Sequence, residues 1–413
     1  MGATGSAPTP YKPLDDLELL ARCSGASRRP GRPEAEAFLR FRAHEAPVLG
    51  AGALQQAVEA VQAERFTPWP IAPADCGLPS AQVADRVRGA LLGAAAADAC
   101  GLATEFLSRA KAEEFYGLGF DYRPGCALYP DSHRAFFPQG DWTDDTDQLL
   151  LVLQSLLACG GLPDQQDFAR RLKQWARHGF QQLGDRCGSG LGKTVGKVVD
   201  AKGFEEAPVE CAERIWRNNG CNLAANGAVM RAALCGVPMF WDLDCSERAA
   251  VAFCQVTHFD TRCVASCVCV SIAISCLLSG WTCEKAVAEG VERAANHLDA
   301  EHMDDFKWYT SVDRTLDQLN LDEPHSIGYT FKALACGLHA LRSDATFAEA
   351  IHEVVARGGD ADTNAVVCGA LLGCARGAGA VPAAWVDAMP YKGWLEAWAT
   401  QALHASGCAN PPA

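Results

Sequence analysis

The sequence predicts an all-α protein, on three observations. Apolar residues make up 49% of the 413 positions but aromatic ones only 8%. A core of that kind is built mainly from Ala, Leu, Val and Cys, whose small volumes suit closely packed helices better than a β-sandwich. From about Ala81 to His404, apolar segments of helical length alternate with breaks that carry Gly, Asp or Pro. Alternating strand patterns are scarce, and no hairpin dipeptide lies between two alternating runs. A chain of this length can bury a substantial core.

Taken in order, residues 1 to about 33 are rich in Pro, Gly and Ser, with a basic patch from Arg28 to Arg32, and read as mobile. Glu34 to Arg65 carries helix-forming residues for one or two helices. Pro68, Pro70, Pro73 and Pro79 then predict an extended connection. Val83 to Ala99 is the first long helical segment. Asp147 to Cys159 is the next, closed by Gly160-Gly161-Leu162-Pro163, a stop signal. Ala249 to Leu278 supplies one or two helices, with Thr261 to Leu278 the stronger pattern. Tyr329 to Leu341 and Asn364 to Arg376 complete the set. The division expected is an N-terminal extension over 1–80, one all-α domain over 81–405 and a tail over 406–413.

The formal charge of -14 argues against a nucleic-acid surface, because phosphate backbones need a clustered basic face. The apolar run Val264 to Leu278 is broken by Ser and Cys and falls short of the roughly 20 residues of a membrane span, so it reads as a core helix. The 20 cysteines sit inside such apolar stretches (Cys263, Cys267, Cys269, Cys276) without a CxxC pair. They predict buried, reduced thiols and an intracellular, cytoplasmic chain. No signal-peptide pattern opens the sequence, and Asp15, Asp16 and Glu18 count against a transit peptide, with organelle targeting left open. Met1-Gly2-Ala3-Thr4-Gly5-Ser6 fits the N-myristoylation pattern, although small polar residues are common at disordered starts.

Two acidic clusters carry the chemistry. Asp141-Trp142-Thr143-Asp144-Asp145-Thr146-Asp147 runs into the helix that begins near Gln148, and Gly359-Asp360-Ala361-Asp362-Thr363-Asn364 runs into Ala365-Val366-Val367-Cys368. Each sets Asp and Thr at the mouth of an apolar helix. N-capping explains one such residue. Several carboxylates at a buried helix entrance repel one another unless a cation neutralises them. Oxygen donors without His or Cys point to Mg²⁺, Mn²⁺ or Ca²⁺ rather than zinc. If the clusters converge, their Asp and Thr oxygens suffice for two neighbouring ions. A third segment ends a small-residue helix at Asp98, turns at Gly101 and reaches Glu105; alone it reads as a helix end with a surface acid. Asn226-Gly227 alone reads as a turn before a helix over Ala228 to Cys235, and His258 alone as a structural histidine.

Together these segments resemble the ADP-ribosylglycohydrolase family, in the family's order over about residues 81 to 400. The likeness rests on the Gly-rich helix ending in Asp98 with Glu105, Trp142-Thr143-Asp144-Asp145-Thr146, Asn226-Gly227-Ala228-Val229-Met230-Arg231, Thr257-His258, Gly328-Tyr329 and Gly359-Asp360-Ala361-Asp362-Thr363-Asn364. The resemblance implies an orthogonal multi-helix bundle with two Mg²⁺ (or Mn²⁺) ions. Thr143, Asp144, Asp145, Asp360, Asp362 and Thr363 match the metal ligands. Glu105 matches the acidic residue beside the reacting sugar, with Asp144 and Asp360 as alternative bases. The substrate implied is an ADP-ribosylated protein or a small ADP-ribose conjugate cleaved at ribose C1″. Asp98, Gly188, Gly190, Gly192, Asn226, Gly227, His258 and Tyr329 would bind it. The stretch from Asp98 to Phe106 resembles the arginine-directed members more than the serine-directed ones. One departure is Ala97, where many members carry Gly.

Two other readings compete. Gly188-Ser189-Gly190-Leu191-Gly192-Lys193-Thr194 resembles a phosphate-binding P-loop, but the first Gly of that pattern is replaced by Cys187 and no apolar strand precedes it. Within the family resemblance the same loop lines a pyrophosphate with backbone N–H groups. The second rival is a catalytically inactive ADP-ribose-binding or structural member of the same fold. Against it, every proposed ligand and Glu105 are present.

Overall fold

The computed structural model describes residues 49–73 and 77–408. The 16 α-helices among them bear out the all-α expectation, and no strand occurs among these residues. In chain order they are α1 Ala51–Ala63, α2 Ser80–Gly101, α3 Arg109–Tyr116, α4 Asp144–Ala158, α5 Gln165–His178, α6 Lys193–Val199, α7 Pro208–Asn218 and α8 Leu243–Gln255. Then follow α9 Thr261–Leu278, α10 Cys283–Ala295, α11 Met303–Thr310, α12 Thr330–Arg342, α13 Phe347–Val355, α14 Ala361–Arg376, α15 Ala383–Ala388 and α16 Lys392–Ala405. Residues 1–48 and 409–413 lie outside the described residues, and with them the myristoylation pattern and the basic patch.

The small residues of α2 and α14 decide where the centre of the molecule lies. The two helices run antiparallel in backbone contact: a Cβ added at Gly89 would sit 2.1 Å from the Gly373 carbonyl oxygen, and one at Gly93 would sit 2.4 Å from that of Gly369. Ala94 to Ala97 fill the rest of this contact and are fully buried. Helix α9 is the second central rod. Its 18 residues are apolar enough to cross a membrane, yet 89% of them are buried inside the protein, which makes it a core helix. Its hydroxyls are satisfied within the core: Ser271 donates to the Cys267 and Ala232 carbonyls, and Ser275 hydrogen-bonds Gly236 O and Ser246.

The extended Pro-rich stretch appears as expected before residue 74, but it packs rather than drifts. Trp69 is buried, its indole N–H donates to Leu156 O (3.2 Å), and its backbone N–H donates to Ala405 O (2.7 Å). Two further expectations change. The helix expected over Ala228 to Cys235 is instead a pair of 3₁₀ turns, Val229–Arg231 and Ala233–Gly236. The second fits tightly against α9, where a Cβ at Gly236 would lie 2.2 Å from Ser271 O. Thiols are free throughout the described cysteines apart from Cys187, which is disulfide-bonded.

Candidate functional site

The antiparallel pairing of α2 and α14 brings the end of one helix onto the start of the other. At Gly101 an added Cβ would lie 2.4 Å from Asp362 Cα, so only glycine lets these backbones meet. Asp98, one turn earlier, reaches the start of α4. Its Oδ1 accepts from the backbone N–H (3.1 Å) and hydroxyl (2.9 Å) of Thr143, and its Oδ2 accepts from those of Thr146 (3.0 and 2.6 Å). Thr143 is the N-cap of α4 and accepts from Asp145 N (3.4 Å). Asp144 and Asp145 are thereby released from capping. Across the site, Thr143 Oγ1 stands 3.3 Å from Asp362 Oδ2, so the two acidic clusters do converge.

Glu105 joins them through the backbone. Phe106 N donates to Gly359 O (2.6 Å) and Gly359 N to Leu107 O (2.9 Å), which clamps the turn after α2 to the turn before α14. Carboxylate oxygens of Glu105, Asp360 and Asp362 fall within 4.8 Å of one another. His133 Nε2 lies 2.5 Å from Glu105 Oε2, and Asn226 donates its amide to Asp360 Oδ2 (2.8 Å).

Such crowding has the expected electrostatic consequence. Burial first, then the Asp362 and Asp360 charges, holds the Glu105 carboxyl well above the usual glutamate range. Burial followed by Asp362 and Asp98 does the same for Asp144 and Asp145. Asp362 is pushed up to about 8, by burial and then Asp360, and burial raises Asp360 as well. Asp145 Oδ2 is buried and has no hydrogen-bond partner. An orphaned anionic oxygen among buried, mutually repelling carboxylates suits a hard divalent cation with all-oxygen ligands.

These acids floor a cleft of about 720 Å³, which Thr363 also lines. A second backbone contact builds one wall: Asn226 N donates to Gly328 O and Thr330 N to Ala224 O (both 3.0 Å), setting Asn226-Gly227 beside Tyr329. Gly190, Gly192 and His258 complete it. Gly190, at φ +92°, is pressed onto Asp144, whose Oδ1 would be 2.3 Å from an added Cβ. The lining also holds exposed Lys193 and Lys197, Arg262 in an ion pair with Asp260 (2.7 Å), and one further acid, Asp305. A groove of about 800 Å³ on another face, beside Pro163 and His297, contains none of these acids.

The family profile described as ADP-ribosylglycohydrolase matches residues 79–411. The chain belongs to the ADP-ribosylglycohydrolase family. It is 26% identical over 315 residues to an ADP-ribosylarginine hydrolase of Serratia proteamaculans, covering 76% of this chain and 77% of that one. It is also 26% identical to the ADP-ribosyl-[dinitrogen reductase] glycohydrolase of Rhodospirillum rubrum over 313 residues, 75% of this chain and 92% of the relative. A solved ADP-ribosylglycohydrolase-related protein complex superposes with a TM-score of 0.54 at 25% identity, covering 79% of this chain and 99% of that chain.

Within this family frame, two expected ligand-binding residues are not in the cleft. Asp98 is fully buried beneath it, with both oxygens taken by Thr143 and Thr146. Gly188 faces Trp175, whose ring and carbonyl would be 2.8–2.9 Å from an added Cβ. Thr143 likewise lies under the floor rather than in the lining. The P-loop rival gains nothing, because a 3₁₀ turn, Gln181–Leu183, precedes the loop where a strand is required. Sequence reading missed His133, which sits in an irregular stretch with no periodic signal, and Gln148, which holds Asp144 at 2.7 Å. Gln148 was findable, since it stands four residues after Asp144 on the same helix.

Proposed function

We propose that the protein is a metal-dependent hydrolase of the glycosidic bond at ribose C1″ in ADP-ribosylated side chains or related ADP-ribose conjugates. The observation that carries this is the mixed polarity of the cleft: buried carboxylates and the exposed cations Lys193 and Lys197 line the same cavity. An ADP-ribose needs both, because its diphosphate is anionic and its reacting ribose offers hydroxyls and a cleavable C1″ bond.

Asp144, Asp145, Asp360, Asp362 and Thr363, with Thr143 adjoining, would hold two Mg²⁺ or Mn²⁺ ions. When bound, such ions orient ribose hydroxyls and offset developing charge. Glu105 is the acid/base: burial and the Asp362 and Asp360 charges raise its carboxyl and so favour the protonated form that serves the leaving group, and as a carboxylate it takes a proton from the attacking water. His133, kept neutral at a pKa of about 3 by burial and by Arg134, holds Glu105 in place. Asn226 fixes Asp360, an alternative base together with Asp144. Gly190 and Gly192 bring backbone N–H groups to the diphosphate, and Tyr329 lines the same wall.

The test is release of free ADP-ribose from arginine-, serine- and O-acetyl-linked substrates with Mg²⁺ or Mn²⁺, repeated with EDTA. Metal-dependent release from the arginine-linked substrate is expected. ADP-ribose binding with no release from any of the three overturns the reading in favour of an inactive binding member.

A further inference from the structure

Behind the cleft wall lies a buried cation with no carboxylate of its own. Arg231 is 1% exposed, lies 4.9 Å over the Phe168 ring and forms no salt bridge among the described residues. Its two arms reach neutral partners: Nη1 donates to Gln148 Oε1 (2.5 Å) and Nη2 to Thr257 Oγ1 (2.6 Å). A guanidinium only donates hydrogen bonds, so Gln148 and Thr257 must both accept from it. On one arm, Gln148 must turn its carbonyl to Arg231, which leaves its amide N–H for Asp144 Oδ2 at 2.7 Å. On the other, the Thr257 hydroxyl accepts from Arg231, and the one acceptor its own proton has among its hydrogen-bond partners is His258 Nδ1 at 2.8 Å. Nδ1 is then the unprotonated nitrogen, and the ring hydrogen resides on Nε2. That Nε2 is buried and has no partner in the protein. It abuts Gly227, where an added Cβ would lie 3.4 Å away, and His258 lines the cleft.

We propose that Arg231, acting through Thr257, is a positioning residue that locks His258 as the Nε2–H tautomer, so that the ring presents one donor to an acceptor oxygen of the ligand. The other arm of the same guanidinium orients Gln148 against Asp144. The ligand half of this inference rests on the ADP-ribose reading of the cleft; the tautomer half does not. Burial and the Arg231 charge also keep the ring neutral, lowering its pKa to about 3.

The experiment uses the full chain labelled with ¹⁵N-histidine, reading the His258 ring nitrogens by long-range ¹H–¹⁵N correlation and ADP-ribose affinity by calorimetry. Arg231→Lys is the direct variant but keeps the buried charge while removing the fork that reaches both Gln148 and Thr257; Thr257→Val and Thr257→Ser test the one link alone. The wild-type ring is expected to carry its proton on Nε2. Thr257→Val loses the single tautomer and binds ADP-ribose about tenfold more weakly, the worth of about one hydrogen bond. Thr257→Ser restores both. A wild-type ring protonated on Nδ1, or an unchanged tautomer in Thr257→Val, overturns the proposal. Loss of the tautomer with unchanged affinity overturns its ligand half. A wild-type Nε2–H ring in a protein that binds no ADP-ribose overturns the functional reading and leaves the positioning link standing.

Discussion

The two acidic clusters are written alike in the sequence and supported differently in the fold. At the start of α4, Thr143 serves as the N-cap and Asp98 of α2 takes the backbone N–H and hydroxyl groups of Thr143 and Thr146. This cluster is fastened to a third helix. At the start of α14, Asp360 occupies the N-cap position without making a side-chain cap bond; its carboxylate faces the cleft and is held by Asn226. The second cluster is aimed by a loop. The difference teaches that a run of Asp and Thr at a helix mouth divides its labour: some residues hold the helix, and those freed from that task are available to a cation.

Removing a residue from either division should expose it. Asp362→Ala takes a carboxylate from the convergence point and is expected to lower the rate of ADP-ribose release on the order of 10³-fold or more, since several kcal/mol of charge stabilisation is lost. The helical circular dichroism should be retained. Asp98→Ala acts on the fastened cluster and is expected to reduce unfolding stability by about 2–4 kcal/mol in denaturant titration, because it strands buried donors. Asn226→Ala acts on the aimed cluster; it should weaken Mn²⁺ binding about 10–100-fold with stability changed by less than about 1 kcal/mol. Equal stability losses in the last two variants would erase the distinction. Thr143→Val should remove about 1 kcal/mol as a lost N-cap, and Thr143→Ser should lose almost none of it.

A dependence on pH follows for both clusters. Burial and neighbouring charge raise Asp362 from 3.8 to about 8 in the folded protein. A group raised on folding stabilises most below its unfolded pKa and loses that contribution as pH climbs through the folded value. The EDTA-treated protein should therefore melt at progressively lower temperature from pH 5 to pH 8. Added Mn²⁺ should raise the melting temperature more at pH 8 than at pH 5, because binding must displace fewer protons. A flat EDTA profile would show that the carboxylates are not crowded in solution.

Legibility in the sequence followed periodicity and composition. Val83 to Ala99 was readable as a helix because a small-residue segment of that length has no strand alternative, and the structure extends it only to Ser80–Gly101. The acidic pairs were readable because their density exceeds what capping needs. His133 was not readable: its meeting with Glu105 spans an irregular segment, and only the packed fold brings the two within 2.5 Å. Helix expectation failed at Ala228 to Cys235 because local propensity does not register the contact with α9 that accompanies the tighter turns.

The sequence by itself determined the helical class and the two acidic helix entrances, since these depend on local pattern and on the cost of crowding like charges; Glu105, which alone reads as a surface acid, was marked only by the family resemblance. Tertiary structure decided which of those residues line the cleft. Asp98 and Asp362 are both aspartates at the ends of apolar helices, yet one is saturated by four hydrogen bonds under the floor and the other stands at the convergence of the carboxylates. That distinction is set by the glycine contacts that bring α2 and α14 together at Gly101, a long-range approach that no local period encodes.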